Sequence, residues 1–329
     1  SSMPRMSLLI AGSIATDHLM TFAGKFADSL VVDQLDKLSV SFLVQDLEIR
    51  RGGCAGNIAF ALGQLGLSPV LVGAAGEDFS DYRSWLERHD VDCKSVHISE
   101  SQHTARFVCT TDSTMAQFAS FYPGAMSEAR QIELEPIVAR VGDPSYVLIG
   151  PDDPEGMLRH TQECRQRGYR FAADPSQQLA FAEGDLIRDL IDGAHILFSN
   201  EYESHMIQQK TGWSAQDVLD RVDVQVITLG ANGVRVLGNE IEPVEIGAVP
   251  GVDAKEPTGV GDAFRGGFLA AMQWGLSYER AAQVGCVIAA YVVESVGTQE
   301  YSFTRQGFIQ RLEDAYGAEA AVEVHQHYM

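Results

Sequence analysis

Short apolar runs alternate along this chain with stretches of helical periodicity, and no other feature restricts the fold as much. The runs are Leu8-Leu9-Ile10, Val70-Leu71-Val72, Tyr146-Val147-Leu148-Ile149, Phe171-Ala172-Ala173, Ile196-Leu197-Phe198 and Val224 to Leu229. Runs this short and this uniformly apolar predict strands buried on both faces, the pattern of βαβ units. The expected fold is α/β, a mostly parallel central sheet covered by helices on both faces. Polar or glycine residues follow several runs directly: Asp17 after a short turn, Asp174, Asn200, Thr228 and Gly230. Ligands of open α/β sheets bind at the carboxyl ends of the strands, so these positions should converge.

Two segments break the rhythm. Val40, Phe42 and Val44 alternate with Ser39, Ser41 and Leu43. Thr104 to Thr111 and Met115 to Tyr122 predict a hairpin around Thr111-Asp112-Ser113. These insertions are too small for a core of their own. They predict a small sheet lying over the site as a lid, the other reading being an antiparallel edge of the main sheet. The core then spans 3–17, 51–100 and 126–329, and the lid 18–50 and 101–125.

Two glycine-rich turns carry the chemistry. In Glu256-PTGVGDAF-Phe264, the turn Thr258-Gly259-Val260-Gly261 precedes a helix whose Phe264, Phe268, Met272 and Leu276 recur every fourth residue, so its first turn is held against a core. A helix N-terminus offers unpaired N–H groups and the positive end of a dipole, and glycine lets a phosphate approach closely. Asp262 would repel that phosphate unless it serves as a general base for a substrate hydroxyl. Taken alone, Gly261-Asp262 reads as a tight turn with an N-cap. In Arg51-GGCAGNIAF-Phe60, the Gly52-Gly53 break and Asn57 suit a polyhydroxyl ligand, because an amide both donates and accepts.

Composition narrows the classes. With 329 residues, 45% of them hydrophobic, the chain can form one large α/β domain with an appendage. Its net charge of −21 and lack of any Lys/Arg-rich block argue against nucleic acid or an anionic membrane as partners. No apolar run reaches the ~18 residues of a spanning helix, and no leader-like segment follows Ser1-Ser2, which read as a tag remnant. A cytoplasmic location is the expectation. The five cysteines contain no CxxC pair, which predicts free thiols rather than a zinc site. GxxxxGK[ST] and GxGxxG are both absent, so nucleotide phosphates would be met without a Walker lysine, and a dehydrogenase is disfavoured.

GGCAGN, Asn200-Glu201-Tyr202-Glu203, Thr228-LGANG-Gly233 and EPTGVGD occur in the order in which the PfkB carbohydrate kinase family carries its motifs. The resemblance spans nearly all of 6–316 and implies the ribokinase-like fold with its sheet lid. It implies Asp262 as catalytic base, the amides of Gly259, Val260 and Gly261 as anion hole, and ATP contacts at Asn200, Thr228, Gly230 and Gly233. It further implies magnesium organised by Glu203 through water, and substrate hydroxyls held by Asp17, Gly53 and Asn57. Asn200 and Glu203 read on their own as a helix cap followed by a solvated carboxylate. Glu256 stands where the family has Asp near a monovalent cation, so the longer side chain predicts weak dependence on potassium.

Within the family, GSIATDHL, the Ser39-Val40-Ser41-Phe42 strand, TARF, SFYPGAMSEAR and ADPSQQL resemble bacterial adenosine kinases. That likeness implies adenosine as substrate, with Ser41 in the pocket, Phe107 and Phe121 sandwiching the base, and Gln177 and Gln178 reading its edge. Core packing is the other account of both phenylalanines. A homodimer joined through the lid is expected from the exposed sheet edge. The alternatives are a PfkB kinase for ribose, a hexose or another nucleoside, and a silent nucleoside-binding protein.

Overall fold

The computed structural model describes residues 6–328, so Ser1-Ser2, the first residues of the expected core and Met329 lie outside it. The eight-stranded main sheet has the order Val244–Ile246, Val234–Leu237, Val224–Thr228, Ile196–Asn200, Phe171–Ala173, Pro144–Ile149, Ser7–Ala11, Val70–Val72. All neighbours pair in parallel except the two pairs involving Val234–Leu237. Each apolar run of the sequence forms one of the parallel strands.

Residues within a strand alternate between two cores. Leu8, Ile10, Leu148, Ile196, Phe198 and Val226 pack on one side with helices Cys54–Gln64, Val260–Gln273 and Tyr278–Val293. Leu9, Ala11, Val147, Ile149 and Leu197 face helices Pro154–Arg167, Gly184–Ile191 and Glu201–Thr211. Burial on both faces is why these strands show no polar alternation, and each fully buried Leu, Ile or Val contributes about 1.5–3 kcal/mol.

A separate four-stranded sheet has the order Asp46–Gly52, Ala15–Thr21, Ala105–Thr111, Gln117–Tyr122. Its hairpin closes on Asp112, whose carboxylate accepts from the amides of Phe26, Thr114 and Ala116. Asp17 therefore sits on the small sheet itself, opposite Arg50 and Phe107.

One strand expected from the sequence is absent. Ser39 to Phe42 pair with no strand, and the first strand of this insertion is Asp46–Gly52. Val40, Phe42 and Val44 are nevertheless more buried than Ser39, Ser41 and Leu43. Phe42 packs on Phe22 and Phe26 with ring centroids 4.9 Å from each. The alternation reports one-sided burial of an extended segment, which needs no ladder.

Candidate active site

Two helices meet at the carboxyl ends of the parallel strands. Cys54–Gln64 starts at Gly53 (φ +87°), where a Cβ would lie 2.5 Å from the Ser13 carbonyl oxygen. Val260–Gln273 starts at Gly259 (φ +84°), where a Cβ would lie 2.7 Å from Thr298 Cγ2. Only glycine fits either start, so the two backbones approach as closely as the sequence pattern requires.

Asp262 and Asn57, one from each helix, touch: Asn57 Nδ2 donates to Asp262 Oδ2 at 3.0 Å. Burial pushes the Asp262 carboxyl up to about 7, and Asp174 adds to the rise, while Asn57, Arg265 and the Cys54 thiol oppose it. A carboxylate that titrates there is poised to take a proton near neutral pH. Gly261 and Asp262 occupy the first helical turn, where N–H groups lack intrahelical partners. Val260 N–H makes a long 3.3 Å bond to Pro257 O.

Gly261 and Asp262 open onto a cavity of about 190 Å3. Gly259, Gly261, Asp262 and Arg265 line it together with Asn200, Glu203 and Thr228, and with Cys54, Ser176 and Gln177. Asn200 and Thr228 are register partners at the ends of adjacent strands, which brings two of the sequence motifs side by side. Asn200 caps the helix Glu201–Thr211 in a reciprocal box, Asn200 Oδ1 accepting from Glu203 N–H at 2.7 Å and Glu203 Oε1 from Asn200 N–H at 2.8 Å. The capping reading of this motif is thus realised, and both residues still face the cavity. Gly230 and Gly233 form the turn that closes the strand after Thr228, Leu229 N–H donating to Gly233 O at 2.8 Å.

Asp17 lies beside the first glycine turn: a Cβ on Gly52 would sit 3.7 Å from its carboxylate. Burial raises its pKa and Arg50 works against that rise. Glu256 is engaged by protein groups, Oε2 lying 3.4 Å from Arg50 Nη1 and accepting from Gly297 N–H at 3.2 Å.

The residues expected to meet a base are less assembled. Phe107 and Phe121 are directly paired across strands and share the sheet face of Asp17, so they stand side by side as one wall rather than as two facing walls. Phe121 is 53% exposed. Ser41 is exposed in the unpaired segment of the lid. Gln177 faces the cavity, whereas Gln178 Nε2 donates to the Asp152 carbonyl at 2.8 Å. Among the described residues, no cavity-lining group comes from the small sheet.

Sequence reading passed over Arg265. Its Nε lies 2.8 Å from Asp174 Oδ2 and its Nη1 donates to Gly261 O at 3.0 Å, so a buried guanidinium underpins the glycine turn. Burial raises the Asp174 pKa and Arg265 counters it. The spacing from Gly261 to Arg265, one helical turn, is the signal that would have found it.

The profile described as pfkB family carbohydrate kinase matches residues 16–305. The nucleoside kinase of Methanocaldococcus jannaschii is 27% identical over 287 residues, covering 86% of this chain and 92% of that protein. The ligand-free Burkholderia thailandensis nucleoside kinase superposes with a TM-score of 0.86 at 33% identity, over 93% of this chain and all of its own. The same enzyme in complex with inosine gives 0.82 at 32% identity, over 95% and 99%. Since the family match runs through both glycine turns and the small sheet, the chain belongs to the pfkB carbohydrate kinases, phosphotransferases of ribokinase-like fold.

Proposed function

We propose that this protein is an adenosine kinase that transfers the γ-phosphoryl group of ATP to the 5′-hydroxyl of adenosine, giving AMP and ADP. One observation carries the reading: Asn57 and Asp262, 205 residues apart, meet in a hydrogen bond at the start of a helix whose first turn opens on the cavity. A purine nucleoside is favoured by the related nucleoside kinase with inosine bound. That complex also supports inosine as a second acceptor.

Asp262 accepts the proton of the 5′-hydroxyl as that oxygen attacks the γ-phosphorus. The bond to the bridging oxygen breaks and its electron pair leaves with ADP. The N–H groups of Gly259, Val260 and Gly261 meet charge on the transferred group, and an in-line arrangement supplies most of the remaining acceleration. Asp17 and Asn57 hold the ribose hydroxyls. Gly53 lets the sugar approach the backbone, while Thr228, Gly230, Gly233 and Asn200 border the nucleotide.

The cavity lining holds carboxylates at Glu203 and Asp262 against the one guanidinium of Arg265, so the phosphates of ATP need a further cation. Glu203 offers oxygen donors, and no cluster of three metal-ligating side chains occurs among the described residues. That set fits magnesium held mainly by phosphates and water, with Glu203 reaching it through water. Magnesium would neutralise phosphate charge and align the γ-phosphoryl group.

The base would lie against the Phe107–Phe121 wall with Ser41 and Gln177 at its edge, and Gln178 would have to leave the Asp152 carbonyl to join them. The cavity is smaller than the ~300 Å3 at which ligand pockets begin, so lid movement must complete it. Leu47 and Ile49, 58% and 59% exposed, lie on the sheet face opposite Asp17 and suit a lid-to-lid homodimer. An ADP-release assay with adenosine tests the reading: ADP formed in step with AMP supports it. Binding without ADP release would leave the silent nucleoside-binding alternative.

A further inference from the structure

Behind Asp262 and Asn57 runs a buried chain of hydrogen bonds that the proposed chemistry has not used. Trp85 Nε1–H donates to Gln299 Oε1 at 2.9 Å. Gln299 Nε2 donates one hydrogen to Asn57 Oδ1 at 3.0 Å and the other to the Tyr82 hydroxyl at 2.7 Å. Tyr82 in turn donates to the Gly52 carbonyl at 2.8 Å. Gln299 is 2% exposed, Tyr82 4% and Asn57 7%.

Donor chemistry fixes every orientation in this chain. An indole N–H can only donate and a backbone carbonyl can only accept. The first forces Gln299 Oε1 toward Trp85. The second makes Tyr82 spend its hydrogen on Gly52 and accept from Gln299. Both anchors place the Gln299 amino group on Asn57 Oδ1, so the Asn57 amino group has to face Asp262 Oδ2. Trp85 is itself held, stacked on Phe60 with centroids 5.7 Å apart and covered by the Arg51 guanidinium at 4.0 Å.

We infer that Gln299 is a positioning residue for phosphoryl transfer: it locks the Asn57 amide so that an N–H, and never a carbonyl oxygen, meets the Asp262 carboxylate. The inference rests on Asp262 being the base. With the amide reversed, two oxygens would face each other at 3.0 Å, and the ionised carboxylate would lose a donor and gain a repelling dipole. Thr298, the residue before Gln299, is the one that a side chain at Gly259 would strike, so the same loop braces the other end of the anion hole.

The charged and titratable groups facing Asp262 are Arg265 on its own helix, Asp174 from the end of a central strand, Cys54 on the neighbouring helix, and Tyr301 beyond the Gln299 loop. None of them is altered by a change at Gln299. Gln299→Met keeps the length and removes all hydrogen bonding. It is assayed beside the parent with ATP and adenosine, or the best acceptor found. The expected result is a kcat lower by about ten- to a hundredfold, an unchanged KM for ATP, and an acid limb of kcat moved upward by roughly half to one pH unit. A role limited to stability would lower kcat equally at every pH and leave the limb in place.

A folded Gln299→Met enzyme with parental kcat and an unmoved limb overturns the inference. If that variant does not fold, Trp85→Phe keeps an aromatic ring and removes the indole N–H; a smaller upward shift of the limb is expected, and no shift overturns the inference. Asp262→Asn, run alongside, separates the two levels. If it retains turnover the base assignment fails, whereas if it is inactive while the limb stays unmoved, only the role of Gln299 fails.

Discussion

The floor of the site and the small sheet above it are built on opposite principles. Below, Asp262, Asn57, Arg265 and Gln299 are held by hydrogen bonds or an ion pair in the interior, and two glycines fix the helix starts. Above, Phe121, Leu47 and Ile49 are more than half exposed, and the described cavity takes no wall from the lid. A preorganised floor can stabilise charge without rearranging, which is what phosphoryl transfer requires. An open sheet can admit a flat base and close on it afterwards. On the proposed function, the chemistry belongs to the core and the choice of acceptor to the lid.

Changing the floor is the hardest way to strain this division. Asp262→Asn keeps the shape and cannot take the proton, so kcat should fall by about 10²–10⁴-fold with nucleoside binding largely retained. Near-parental kcat at saturating substrate would remove Asp262 as base. Because the unmodified carboxyl titrates at about 7, kcat should rise with pH through that value as Asp262 becomes ionised.

A lid change should be selective instead. Phe121→Ala should lower kcat/KM for adenosine about ten- to a hundredfold, in line with roughly 1–3 kcal/mol for one stacked base, and leave residual ribose turnover nearly unchanged. Equal losses on both acceptors would make Phe121 lid packing. Smaller again is the expected response to potassium. Arg50 and Gly297 already engage Glu256, so replacing potassium by sodium should alter activity little, and Glu256→Asp should widen the gap. A strong potassium requirement in the parent would contradict this.

A further effect, set by pH, concerns stability. The folded pKa of Asp262 lies above its unfolded value near 3.8, so its contribution is complete below about pH 4 and lost as pH rises through about 7. Asp262→Asn should therefore melt above the parent at pH 8, the gap closing toward pH 4. A gap independent of pH would show that the carboxyl is not strained by its site.

How much of this was legible follows from how local each signal is. Strands such as Tyr146-Val147-Leu148-Ile149 were readable because burial on both faces writes itself into consecutive residues. The glycine turns were readable because positive φ and close packing exclude side chains at Gly53 and Gly259. Ser39 to Phe42 misled because one-sided burial imitates a paired strand. Gln299 left no trace, since it meets Asn57 across 242 residues and only the folded chain aligns the donors. The side-by-side placement of Phe107 and Phe121 depends on strand register, which their spacing in sequence does not state.

The division between floor and lid is tested most directly by offering the unmodified protein ATP with adenosine, inosine or free ribose, and measuring ADP release and the phosphorylated product of each. The account predicts AMP as the best product, inosine behind adenosine, and ribose lower than adenosine in kcat/KM by about tenfold or more. Ribose matching or exceeding adenosine would contradict it, leaving the phosphoryl-transfer floor in place and removing base recognition from the lid.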